Sequence, residues 1–117
     1  MSRPVSRGVF GVERAGAARL KPMDAAEVSA HAYIVIAGLA DDTYQLKDRR
    51  ALMRRLLRGE PDIHGRRLYT PESRDAAHYV IRIINLRLRG AALSKLQDER
   101  LKSSLLTVFK ALEAGMP

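Results

Sequence analysis

The stretch from Thr70 to Gly90 constrains the fold more than any other part of the chain. Thr70, Pro71 and Glu72 form a strong helix start: a capping hydroxyl, a proline at the first helical position and an acid in the first turn. Apolar residues then cover most of the helix circumference, namely Ala76, Ala77, Val80, Ile81, Ile83, Ile84 and Leu88. Only a narrow stripe stays polar, formed by His78, Arg82, Asn85 and Arg89. We therefore expect a central helix that other elements bury.

Two further helices are predicted before this one. Asp24 and Glu27 form a capping-box-like start, and an apolar face follows at Val28, Ala32, Val35 and Leu39, ending near residues 41–42. A second helix begins at Thr43 and stops at Gly59, which Glu60 and Pro61 follow. Its predicted apolar face consists of Leu46, Met53, Leu56 and Leu57.

A last helix is predicted from about Ala91 to Ala114, after a break at Gly90, with Gly115 closing it. Its predicted inward side consists of Leu93, Leu96, Leu101, Leu105, Val108 and Leu112. The resulting fold class is all-α, a small bundle of about four helices. An α+β alternative stays open, with strands near 32–39 and 80–89, because the first stretch is β-branched and Leu86–Arg89 alternates with period two.

The domain organisation follows from length and local composition. The 117 residues suit one domain. Residues 1–22 hold few large apolar groups, so we predict a flexible basic arm there, followed by a single helical domain over 23–117. The arm is rich in Arg and poor in acids, which also matches a mitochondrial presequence.

The charge of the chain is strongly positive and unevenly spread. Lys and Arg total 21 against 13 Asp and Glu, a net charge of +8. Residues 46–68 carry eight bases and three acids, whereas residues 23–45 carry four acids and no Lys or Arg. Such an excess favours a polyanionic partner, either nucleic acid or an acidic protein.

The second helix and the loop after it hold the candidate binding residues. Arg50, Arg54 and Arg58 recur every four residues, so they stack on one helix face and repel one another unless a polyanion is bound. Arginine also suits forked hydrogen bonding to phosphate. The predicted nucleic-acid-binding residues are Lys47, Arg49, Arg50, Arg54, Arg55, Arg58, Arg66 and Arg67.

Other interpretations of this basic segment compete with phosphate binding. It is also typical of a solvated face in an Arg-rich protein, with Asp48, Glu60 and Asp62 as local partners. A basic amphipathic helix can lie on an anionic membrane, although this one lacks Trp and Phe anchors. No helix-turn-helix is evident, because the 59–70 loop is longer than the turn of that motif.

Catalytic and metal chemistry find little support in the sequence. The absence of Cys excludes disulfides, thiolate nucleophiles and Cys-ligated zinc. His31, His64 and His78 do not fall into a metal-ligand spacing, and no Gly-rich phosphate loop or nucleophile elbow occurs. We therefore expect a non-enzymatic protein without a cofactor or metal.

The function predicted from sequence is that of a small binding protein. The first hypothesis is a nucleic-acid-associated regulator. The alternative is a protein–protein adaptor or assembly subunit that docks acidic partners through the same basic face. A homodimer is also compatible with the small core. The longest apolar run, Tyr33 to Ala40, is far shorter than the roughly 20 residues of a membrane span, and we expect a cytoplasmic, intracellular protein.

Overall fold

The computed structural model describes residues 24–38 and 43–114 of the chain. Their regular structure is helical and consists of α1 (Ala25–Ala37), α2 (Thr43–Leu57), α3 (Pro71–Leu88) and α4 (Lys95–Ala114). The all-α prediction is therefore confirmed. The alternative strands are wrong, because residues 32–37 and 80–88 are helical. The predicted arm over residues 1–22 lies outside the described residues.

The prediction of a central third helix holds only in part, because α1 also packs against the three other helices. α3 packs against α1, α2 and α4. α1 packs mainly against α4, so the helices follow one another around the core in the order α2, α3, α4, α1. The outer surface of α2 and α3 therefore lies on the opposite side of the bundle from that of α1 and α4. The side chains that α3 buries are those of Ser73, Ala76, Ala77, Val80, Ile83 and Ile84.

The predicted helix starts at Asp24 and Thr70 have the expected capping bonds. The Asp24 carboxylate accepts from the Glu27 backbone N–H at 3.1 Å, and Thr70 Oγ1 accepts from the Ser73 N–H at 3.1 Å. α1 ends at Ala37, before the predicted end near residues 41–42, and the predicted face residue Leu39 lies outside the described residues. Of the other predicted face residues, Ala32 is buried as expected. Val28 and Val35 are only partly buried, and the buried residues are Ala25, Ala26, Ser29, Ala32 and Ile36.

α4 starts four residues later than the sequence predicted. The helix begins at Lys95 because Ser94 and Gln97 form a capping box: Ser94 Oγ accepts from the Gln97 N–H, and Gln97 Oε1 accepts from the Ser94 N–H. Leu96, predicted to point inward, is 73% exposed. It lies in the first turn, on the side of α4 away from Leu101, Leu105, Val108 and Leu112, which are buried as predicted.

Two glycines end helices in the manner the sequence predicts. Gly59 and Gly90 have φ values of 85° and 83°, which side chains with a Cβ rarely adopt. After α2, the Gly59 and Glu60 N–H groups bond back to the Leu56 and Arg55 carbonyls, and the same pattern follows α3. These are Schellman motifs, and they turn the chain sharply at both ends.

One arginine ties three chain segments together. Arg87 donates from Nε to the Ile36 carbonyl at 3.0 Å and from Nη2 to the Gly38 carbonyl at 2.8 Å. Its Nη1 donates to the Ala91 carbonyl at 2.9 Å. These bonds satisfy carbonyls at the C-terminal end of α1, which lack helical partners, and hold the segment that leads into α4.

The Asp62 carboxylate closes the loop between α2 and α3 and joins it to α1. Asp62 Oδ1 accepts from the backbone N–H groups of His64 and Arg66, both at 2.9 Å. Its Oδ2 accepts from the Ala25 N–H at 3.0 Å, at the first turn of α1. The loop is therefore attached to the N-terminal end of α1 as well as closed on itself.

Candidate nucleic-acid interface

The amphipathic character of α2 positions the basic side chains. The helix buries Leu46, Leu52, Met53 and Leu56 against the core, so its remaining positions face outward or along its edges. Lys47 and Arg54 are exposed and have no hydrogen bond or ion pair with any described residue. Their charges are therefore open to an anion in solvent.

Arg55 and Arg58 share one carboxylate at the end of α2. Arg55 Nε donates to Glu60 Oε1 at 2.7 Å, and Arg58 Nε donates to Glu60 Oε2 at 3.1 Å. The hydrogen bond from Arg55 and, to a smaller extent, the one from Arg58 hold the pKa of Glu60 below its usual value. The Glu60 carboxyl group therefore stays ionised. One negative charge between two guanidinium groups leaves a net positive charge at this end of the helix.

Arg49 and Arg50 make contacts that are more structural. Arg50 Nη1 donates to Asn85 Oδ1 on α3 at 2.6 Å, and Arg49 Nη1 lies 3.0 Å from Asp48 Oδ2. Both side chains are half-buried, and Arg49 Nε is buried with no hydrogen-bond partner among the described residues. Arg50 therefore ties α2 to α3, and Arg49 is paired with its sequence neighbour.

Arg66 lies apart from the outward face of α2. Its Nη1 donates to Asp24 Oδ1 at 3.2 Å, at the start of α1, and His64 Nε2 lies 3.2 Å from the other oxygen of the same carboxylate. The Glu27 backbone N–H, aided by the charges of Arg66 and His64, lowers the pKa of Asp24 against the opposing effect of partial burial. Arg66 thus serves the attachment of the loop to α1.

Arg67 extends the exposed charge from the helix into the loop. Its Nε donates to the Gly59 carbonyl at 2.9 Å, which holds the guanidinium beside the end of α2. A carbonyl bond positions this group without neutralising it. Leu68 is buried, and its neighbours Arg67 and Tyr69 are exposed. Arg67 and Tyr69 thus both face solvent, on either side of the buried Leu68.

The exposed charge also continues onto α3, which the predicted residues did not include. The Arg50–Asn85 bond and a bond from Arg74 Nη2 to the Leu57 carbonyl, at 2.8 Å, show that α2 and α3 run antiparallel. Arg82, one turn before Asn85, therefore lies at the same height along the helix pair as Arg54, one turn after Arg50. It lies on the side of α3 that borders Leu96, Gln97 and Arg100 of α4. Its polar stripe was visible in the sequence, but the side of the bundle on which it lies depends on packing.

Fewer residues of α2 contribute exposed charge than the sequence predicted, but exposed arginines of α3 add to it. Of the eight predicted residues, Lys47, Arg54, Arg58 and Arg67 are exposed, whereas Arg49, Arg50, Arg55 and Arg66 are partly buried in internal contacts. Arg82 and Arg89 on α3 are exposed and have no side-chain hydrogen bond or ion pair within the described residues. We call the exposed set the basic face: Lys47, Arg54, Arg58, Arg67, Arg82 and Arg89.

Two tyrosines lie beside the basic face in sequence and are exposed. Tyr44 is 74% exposed and precedes Lys47 by one helical turn, and Tyr69 is 56% exposed and follows Arg67 by two residues. A tyrosine this exposed has no role in the core. Tyr44 and Tyr69 are two of the six aromatic residues of the chain, and the sequence alone does not reveal which of these rings reach solvent.

Among residues 24–38 and 43–114, none of the helices combines the length and apolar character needed to cross a bilayer. His, Asp and Glu side chains of the same residues form no group of three or more able to hold a metal ion. The chain matches no protein-family model, no curated protein and no solved structure.

Proposed function

We propose that the chain is a non-enzymatic, nucleic-acid-associated regulator that binds phosphates through the basic face. The observation that carries this proposal is the set of exposed cations on α2, α3 and the intervening loop, all of which except Arg58 lack a carboxylate partner among the described residues. Like charges one turn apart on a helix repel by a few tenths of a kcal/mol, about 0.2–0.5 per pair. A bound polyanion relieves that cost, and guanidinium groups offer forked bonds to its oxygens.

Single-stranded nucleic acid is the preferred ligand class. Exposed aromatic rings beside a positively charged surface provide stacking platforms for unpaired bases, and Tyr44 and Tyr69 supply two. A duplex reader of the helix-turn-helix type instead needs two helices joined by a tight turn. Residues 58–70, which join α2 to α3, and residues 89–94, which join α3 to α4, are both longer than that turn. We therefore expect binding with little sequence preference.

The decisive experiment is a salt titration of binding to labelled single-stranded RNA and DNA and to a duplex of the same length. Four to six phosphate contacts predict a log–log slope of about −3 to −4 on single strands. Single strands should bind more tightly than the duplex, and replacing both exposed tyrosines by alanine should remove that preference. Absence of binding at about 50 mM salt would end this proposal.

Charge reversal at Arg54 separates binding from folding. Arg54→Glu should weaken single-strand binding about tenfold or more. The free energy of unfolding of this variant should stay the same or rise slightly. Arg54 has no partner among the described residues, and a glutamate there would attract Arg50 and Arg58, each one turn away. The matched control is Lys110→Glu, an equal charge change at an exposed position on α4. Equal effects of the two changes on binding would mean that only net charge matters.

One observation favours a second candidate, docking of an acidic protein on the same face. Arg55 and Arg58 already hold the Glu60 carboxylate between them, at 2.7 and 3.1 Å, which is how an acidic side chain of a partner would be held. An adaptor or assembly subunit of this kind would lose its protein partner on Arg54→Glu while showing no salt-dependent affinity for nucleic acid. The salt titration therefore distinguishes the two candidates.

A further inference from the structure

A groove between α1 and α4 lies on the side of the bundle opposite the basic face. Its volume is about 420 Å³, in the range of small-molecule sites. Apolar side chains form most of its lining, with Tyr33 on α1 and Leu105, Leu106 and Phe109 on α4. Leu106 is half exposed, so an apolar surface is open to solvent here. We call this feature the α1–α4 groove.

The groove contains a buried hydroxyl that has no partner. Ser29 is 1% exposed, lines the groove, and its Oγ makes no hydrogen bond with any described residue. A buried polar group left unpaired costs about 1–3 kcal/mol, and most such groups in folded proteins are satisfied. The Oγ atom is itself enclosed, so the Ser29 side chain has to rotate before a ligand atom in the groove can supply the missing bond.

A charged group also lines the groove. Lys102 Nζ lies 5.1 Å from the centre of the Tyr33 ring and 3.5 Å from Asp98 Oδ2. The interaction with Tyr33 and, to a smaller extent, the one with Asp98 raise the pKa of Lys102, so its ammonium group stays protonated. The Tyr33 hydroxyl donates to Asp98 Oδ1 at 2.6 Å, so this carboxylate is shared between two donors. The ion pair is long and exposed, and the Lys102 ammonium has two further N–H donors for a second carboxylate.

Helix direction separates a polar from an apolar end of the groove. The Tyr33–Asp98 bond and the lining residues show that α1 and α4 run antiparallel, so Ser29, one turn before Tyr33, lies level with Lys102, one turn after Asp98. Leu106 and Phe109 continue from that point along α4. Lys102 to Phe109 spans roughly 10 Å at 1.5 Å per residue, which suits a short chain molecule better than a helix with three anchoring turns.

We propose that the α1–α4 groove binds a small amphiphilic carboxylate of the fatty-acid type. The carboxylate accepts hydrogen bonds from Ser29 Oγ and Lys102 Nζ, and the alkyl chain packs against Leu105, Leu106 and Phe109. This site is independent of the basic face, and its existence does not rest on nucleic-acid binding.

The experiment is a titration of the full ¹⁵N-labelled chain with decanoate, below its micellar concentration, followed by NMR. Saturable shifts should map to α1 and α4. Decanol, which keeps the chain but lacks the charge, should bind about tenfold more weakly, because a charge-assisted hydrogen bond is lost. Equal affinity for decanol, or shifts spread over the whole molecule, would overturn the proposal.

Two variants test the assigned groups. Lys102→Gln should weaken decanoate binding about tenfold, whereas Lys110→Gln, at an exposed position two turns further along α4 and outside the lining, should leave it unchanged. Ser29→Ala should weaken binding while leaving the free energy of unfolding unchanged or higher, because it removes an unpaired buried hydroxyl.

Specific outcomes would contradict this assignment. If Ser29→Ala clearly destabilises the fold, the hydroxyl is bonded internally and does not await a ligand. If Lys102→Gln binds decanoate as well as the parent chain, the ammonium does not recognise the headgroup. If groove resonances shift with protein concentration alone and decanoate does not change them, a second copy of the chain occupies the groove instead.

Discussion

Arg50 and Arg54 lie one turn apart on the same stripe of α2, yet their environments differ. Arg50 is half-buried and donates to Asn85 on α3, whereas Arg54 is exposed and unpaired within the described residues. Burial of the Arg50 stem adds packing to its hydrogen bond. Truncation to alanine should therefore change the free energy of unfolding by different amounts at the two positions.

Arg50→Ala should lower the free energy of unfolding by about 1–2 kcal/mol, because Asn85 loses a charged donor and the α2–α3 contact loses packing. Arg54→Ala should change it by less than about 0.5 kcal/mol. Urea denaturation followed by circular dichroism measures both. Combining Arg50→Ala with Asn85→Ala should cost less than the sum of the single changes. Strict additivity would argue against a bond between these side chains.

Sequence could not distinguish these arginines, and the reason is physical. The stripe at positions 50, 54 and 58 follows from the helical repeat, which is local. The partner of Arg50 lies 35 residues away, and its position depends on how α3 packs against α2. Exposure of Tyr44 and Tyr69 likewise follows from packing. The basic segment was thus predictable, but its division into structural and exposed residues was not.

At the scale of elements, local chemistry predicted most helix boundaries. Asp24, Thr70, Gly59 and Gly90 act as the sequence suggests, because caps and left-handed turns depend on a few neighbouring residues. The start of α4 was missed, since the apolar pattern alone continues back to Ala91, whereas the Ser94–Gln97 capping box sets the boundary. A small capping motif outweighs an apolar run there.

Arg87 governs the ends of two elements, and its replacement should show this. Arg87→Lys should lower the free energy of unfolding by about 2 kcal/mol, because an ammonium cannot reproduce a planar donor set aimed at three carbonyls. Thermal unfolding by circular dichroism measures the change. Arg89→Lys, an exposed arginine two residues away, is the control and should be nearly neutral. Equal stability of the two variants would show that the carbonyl contacts contribute little.

At the scale of the whole molecule, two carboxylates make the stability of the fold depend on pH. The pKa values of Asp24 and Glu60 are lowered, from ordinary values of 3.8 and 4.5, by hydrogen bonds to the Glu27 N–H and to Arg55. A lowered pKa means that the stabilisation is complete above the ordinary value. It is lost as the pH falls through the folded-state pKa.

The double variant Asp24→Asn and Glu60→Gln should therefore be less stable than the parent chain at pH 7, and the difference should vanish at about pH 2. Thermal unfolding midpoints of both proteins between these pH values measure the trend. At about pH 2 the two proteins carry the same net charge, so general repulsion cancels in the difference. At pH 7 the variant carries +10 against +8, because the 13 acids become 11, and this repulsion adds to the expected loss. A difference that persists unchanged at low pH would show that the loss arises from packing and not from charge.

The attachment of the loop by Asp62 has a consequence for local motion. One carboxylate protects the amides of Ala25, His64 and Arg66, which belong to two segments distant in the chain. A single rotation of that side chain would expose all three amides to solvent together. Their hydrogen exchange should accordingly share one opening event, so that the loop and the beginning of α1 behave as one cooperative unit.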